Sequence, residues 1–165
     1  MKKRHGADFA ITEIDIIYGF MAREPESPKK ESNESVGMFS EAWLKRFQER
    51  VNADPEMHII GDWFTTAFSL SCEDRRCILR FDRGRLVEFI VSPRLDVRCV
   101  FGFRASHEIW TRFFSKDPEP LYHDFFAMLM RIPGFVLEGD TLAAMQNARA
   151  LHRTMNIMKA AAAAD

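Results

Sequence analysis

Between Trp63 and Arg104 four stretches set large apolar residues at every second position, and this two-residue rhythm constrains the fold more than any other feature. In WFTTAFSLSC, Phe64, Thr66, Phe68, Leu70 and Cys72 fall on one side of an extended strand; in RCILRFD, Cys77, Leu79 and Phe81 do the same. Asp82-Arg83-Gly84 reverses the chain into RLVEFIVS, where Val87, Phe89 and Val91 share a face, and DVRCVFGFR aligns Val97, Cys99, Phe101 and Phe103. Strands of this kind joined by short turns predict an antiparallel meander with one strongly apolar face, which other elements must cover.

Helical periods flank this block. Ser40 can cap a helix running to Ala53, with Phe39, Trp43, Leu44, Phe47 and Val51 at helical spacing and Asp54-Pro55 ending the run. Ser106 can cap a second, carrying Ile109, Trp110, Phe113 and Phe114, which SKDPEP breaks. Residues 121–132 read as a further helix and GFVLEG as a fifth strand; Asp140 then caps a long final helix with Ala144, Ala148, Leu151, Met155 and Met158 on one face. Residues 22–37, AREPESPKKESNESVG, offer almost no large apolar side chain to offset the entropy of ordering, and predict a linker. The organisation expected is a docking element at 1–21, the linker at 22–37 and a folded domain over 38–165.

Charge and composition exclude several classes. Lysine plus arginine number 23 against 24 aspartate plus glutamate, so no global field favours nucleic acid as a partner. No run approaches the ~18 apolar residues of a membrane span. Three cysteines without a disulfide framework point to a reducing, cytoplasmic setting.

The stretch LYHDFFAMLMRI poses the functional question. On a helix, Leu121, Tyr122, Phe125, Phe126, Met128, Leu129, Met130 and Ile132 would fan over roughly 200°, whereas a surface helix needs an apolar stripe a little over ~100° wide. The second flank must be covered either by more protein, as ordinary core, or by an apolar ligand for which methionine makes an adaptable wall.

The order of helix, hairpin strands, GFRASHEIWTRFF, an apolar helix and GFVLEGDTLAAMQNARALHR resembles the sterol-carrier-protein type two family of lipid-binding domains over about Phe39 to Lys159. The residues that carry the resemblance are Trp110 on the helix after the fourth strand, and Gly134, Val136, Leu137, Glu138, Gly139 and Asp140 at the strand leading into the last helix. It implies an α+β fold, a mixed, mostly antiparallel five-stranded sheet with helices packed on one face, enclosing a tunnel for fatty acyl chains, sterols or quinone-like lipids. It brings no catalytic signature, metal or cofactor. The front segment, the absence of a peroxisomal carboxyl-terminal tripeptide and the long SKDPEPLYHDFFAMLM stretch depart from the eukaryotic carriers and point to a bacterial relative with its own ligand.

With such a cavity, Phe101, Phe103, Trp110, Phe113 and Phe114 are candidate lining residues from the fourth strand and the helix after it. Tyr122, Phe125, Phe126, Met128, Leu129 and Met145 are the candidates from the later helices, with Arg104 as the residue for a ligand head group. If the same cavity instead holds a lipophilic or aromatic substrate for isomerisation or hydration, His123, Asp124, Arg104 and Tyr122 are the polar groups available for acid-base work. The bland readings stand beside these: an exposed helical histidine, and arginines on a solvated outer face. Residues 9–20 are a candidate surface for a second copy of the chain or a pathway enzyme. Cys72 and Cys77 flank EDRR, a turn that could set them opposite one another, against the plainer expectation of two reduced core thiols. Glu138 and Asp140 as paired carboxylates are the weaker reading, because Asp140 has a helix to cap.

Overall fold

Ser40 does what its position predicts: in the computed structural model, which describes residues 38–162, its hydroxyl accepts from the Trp43 N–H and opens helix α1 (Glu41–Ala53). These residues belong to one compact unit, Val36–Asp165; the proposed docking element and linker at 1–37 lie outside the described residues. The helix ends at Asp54-Pro55 as expected, but a second one begins there at once. Asp54 closes α1, and its carboxylate accepts from Met57 N–H to cap a second helix, α2 (Pro55–Ile60). Proline is compatible with the first helical position because no intrahelical partner awaits its missing N–H there.

The strands are β1 (Thr66–Cys72), β2 (Arg75–Asp82), β3 (Arg85–Val91), β4 (Phe101–Ala105) and β5 (Val136–Gly139). Arg83 and Gly84 both take positive φ (48° and 74°) in the β2–β3 turn, the mirror-image turn that matches strand twist. Space also demands glycine there: a Cβ on Gly84 would lie 2.7 Å from the Met57 carbonyl oxygen and 2.9 Å from the Cα of Gly61.

Two expectations about the sheet are corrected. Val87 does not share the apolar face. The β2–β3 register slips between Arg80 and Phe81, so that Phe81 faces Leu86 while Arg80 faces Glu88. The extra residue in this bulge is Val87, which is exposed, and Leu86 is buried in its place. Nor is the block a four-stranded meander. Residues 92–100 form no strand, and β4 pairs with β1 in parallel, giving the order β3-β2-β1-β4-β5 with β1 at the centre. This connection carries the chain from the β3 edge past β2 and β1, held by Ser92 N–H to the Arg76 carbonyl and Val100 N–H to the Ala67 carbonyl. Ile78, on the opposite side of β2 from Cys77 and Leu79, is fully buried yet outside the main core, as expected beneath such a crossover. The sheet is therefore mixed and mostly antiparallel, as the family resemblance implies.

Helix α3 (His107–Phe114) starts at the Ser106 cap as read from the sequence. The next helix is much shorter than its apolar run: α4 spans Phe125–Arg131, with Leu121 and Tyr122 in the turns before it. Asp124 is the reason. Its Oδ1 accepts from the Phe126 and Ala127 N–H groups, so its backbone is extended and the helix begins after it. The final helix is likewise two: α5 (Thr141–Gln146) and α6 (Ala148–Ala162) meet at Asn147, whose Nδ2 donates to the Ala143 carbonyl. The main core lies between the helices and the face carrying Phe68, Leu70, Leu79, Phe81, Phe101 and Phe103.

Candidate functional site

The apolar interior is built around β4 and α3, because β4 is an interior strand and alternation points Phe101, Phe103 and Ala105 to one side. Phe68 stacks on its register partner Phe101 at 5.4 Å between ring centres. Phe103 meets Phe125 edge-on at 5.8 Å and Phe135 in a stacked pair at 5.9 Å. Trp110 contacts Phe113, Phe114 and Phe135, and its indole N–H donates to the Ser71 carbonyl at 2.9 Å, tying α3 to the end of β1. Phe135, absent from the sequence candidates, links the two ring groups; it sits just before the four-residue β5 in an unbroken apolar triplet, which carries no alternation to single it out.

The proposed lining residues therefore divide in two. Phe101, Phe103, Trp110, Phe113, Phe125 and Met128 are buried, and Tyr122 almost so. Phe114, Phe126 and Leu129 are partly covered, and Met145 is 40% exposed. The wide arc expected on one long helix is thus spread over a seven-residue helix and the loop before it. Part of it is core and part of it is surface.

The polar candidates are regrouped more strongly. His123 is exposed, and only its carbonyl is engaged, by Lys159 Nζ at 2.9 Å. Asp124 pairs instead with His152, 2.7 Å from Nε2 to Oδ2. The His152 ring lies parallel to Phe126, and Asn156 Nδ2 stands 3.3 Å from Nδ1. Burial raises the Asp124 carboxyl, but the Ala127 N–H and His152 bring it below the ordinary aspartate value. Both imidazole nitrogens have partners within the fold, and the pair ties the start of α4 to α6. No spacing rule could have joined residues 28 apart. Arg104 is on the opposite side of β4 from Phe103, exposed, and bonded to Glu138 at 2.6 Å. Tyr122 lies under the Arg112 guanidinium, 5.5 Å from its ring centre.

The Glu-Gly-Asp motif has a structural reading in each residue. Glu138 pairs with Arg104; Gly139 adopts φ 83°, where a Cβ would strike the Val100 carbonyl; Asp140 caps α5 through the Ala143 N–H. Together they turn a strand into a helix. Cys72 and Cys77 are free thiols, because the hairpin register sets Cys72 opposite Arg75 and Cys77 opposite Leu70. Burial pushes the Cys77 thiol up to about 12, which removes it as a nucleophile. A polar groove of about 280 Å³ between α2 and the β2–β3 turn is lined by His58, Asp62, Asp82, Arg83 and Arg85, with Arg83 and Asp62 paired at 2.6 Å. Among the described residues no cluster of histidine, cysteine and carboxylates is placed to hold a metal, and no helix is long and apolar enough to cross a membrane.

No protein-family model matches the sequence, and no curated protein is significantly similar to it. Solved structures are. A crystal structure of sterol carrier protein 2 superimposes with a TM-score of 0.61 at 16% identity, over 74% of this chain and 98% of that one. The chain has the sterol-carrier-protein type two fold. A conserved hypothetical protein from Thermus thermophilus, there considered a candidate sterol carrier protein, matches at 0.61 and 17% identity, over 76% of this chain and 90% of that one. Within the sterol-carrier fold, Trp110 and the Glu-Gly-Asp turn, the residues behind the resemblance, act as packing and capping elements.

Proposed function

We propose that this protein binds an apolar or amphipathic small molecule between its sheet and helices, and carries or presents it. The observation behind this reading is the extent of the fold match, which spans nearly the whole of sterol carrier protein 2. The apolar residues fit the same reading: fully buried rings at Phe103, Trp110 and Phe125 continue outward into the partly covered Phe114, Phe126 and Leu129. Because the inner rings touch one another, a guest is admitted where α4 and α5 shift away from the sheet. These helices have seven and six residues, too short to be stable without tertiary contacts. Acyl, isoprenoid and steroid-like molecules are all of suitable character for such a site.

The test is direct. Organic extraction of the purified protein followed by mass spectrometry should recover a defined apolar compound, and the delipidated protein should bind alkyl ligands at one site. Protein that is free of apolar compounds and takes up none would overturn the reading. A homodimer or a pathway-enzyme complex through residues 9–20 is a separate proposal, tested by measuring solution mass before and after deleting residues 1–37.

A further inference from the structure

Lys159 differs from the other paired cations around the helices. Arg112 is met by Glu108 and Glu119, Arg153 by Asp54 and Glu56, and Arg104 by Glu138. Lys159 is half-buried on α6, and among the described residues no carboxylate lies within ion-pair distance of it. Its ammonium sits 4.9 Å from the centre of the Phe113 ring and 2.9 Å from the His123 carbonyl oxygen. The carbonyl takes one of three N–H donors and the ring face a second, so the group retains capacity for an anion. Burial lowers the Lys159 pKa, with Asp124 opposing; a cation held out of water in this way gains from a negative partner. Phe113 in turn contacts Trp110 and Phe114, so Lys159 borders the aromatic interior.

We infer that Lys159 holds the anionic head of an amphiphile whose tail occupies the sheet–helix interior, making this site selective for alkyl carboxylates over neutral lipids of equal length. The inference rests on the binding reading above, and assigns the head-group role to α6, away from Arg104 on the far side of β4.

The test compares hexadecanoate with hexadecan-1-ol, each displacing a neutral alkyl fluorophore from the delipidated full-length protein. Wild type should favour the acid by about tenfold, as a charge-assisted hydrogen bond in a partly desolvated site would give. Lys159→Met should abolish that preference while leaving the alcohol within about twofold, and Lys159→Arg should retain most of it. Equal affinity for acid and alcohol in the wild type would overturn the assignment. So would a parallel loss for both ligands in Lys159→Met, which would mean that the lysine serves only to anchor the His123 carbonyl. If the wild type binds neither, the binding reading falls, and the head-group assignment with it.

Discussion

The double hairpin of residues 66–91 and the segment of residues 118–147 contrast in how they are held. In the hairpins each strand is fixed by the one before it: β1 pairs with β2 residue for residue, and β2 with β3 through one bulge. The later segment contains two helices of six or seven residues and a four-residue strand. It depends on distant groups, with Asp124 on His152 and the His123 carbonyl on Lys159. The difference teaches where the molecule can yield. A sheet whose central ring, Phe68, stacks on both Phe81 and Phe101 cannot open without losing its core, whereas the short helices can move as units.

The largest effect should come from the rigid side. Phe68→Ala removes a fully buried ring from the central strand and should cost about 4 kcal/mol, read as a shift in denaturant midpoint. The equivalent change at half-covered Phe126 should cost less than half as much; equal losses would erase the contrast. Gly84→Ala should come next at about 2 to 3 kcal/mol, because a side chain there combines positive φ with two backbone contacts under 3 Å. A neutral result would mean that the α2 end gives way easily.

Asp124→Ala tests the other region. Losing the α4 cap should cost about 1 kcal/mol and speed amide exchange in residues 125–131, leaving β1 and β2 protected. Exchange that rises equally throughout would show that α4 and the sheet open together. The smallest effect is the pH response of Asp54, whose carboxyl the Arg153 side chain holds below its ordinary value. A folded-state pKa lower than the unfolded one means that the stabilisation is complete above the unfolded carboxylate range. It is lost as pH falls through the folded value. Stability should therefore decline below about pH 4, and less steeply in Asp54→Asn.

Much of the fold was legible. Ser40 and Ser106 cap the helices expected of them, Asp140 caps only the six-residue first part of the final helical run, and Phe68, Leu70, Cys77, Leu79, Phe101 and Phe103 all face the core. The site was legible only as a composition of apolar residues. Helical period continues through Leu121 and Tyr122, whereas the Asp124 cap that excludes them acts over three residues only. His123 stands beside Asp124 in sequence, but the partner that the fold supplies to Asp124 is His152.

By itself the sequence determined which faces are apolar, where chain reversals fall and which residues can start a helix, since periodicity, φ preference and capping are settled within a few neighbouring residues. Only the tertiary structure decided that β4 runs beside β1, that Val87 bulges outward, and that Asp124, His152 and Lys159 gather at one helix. Those outcomes depend on the closure of long loops and on competition among many apolar contacts, and no local pattern records either.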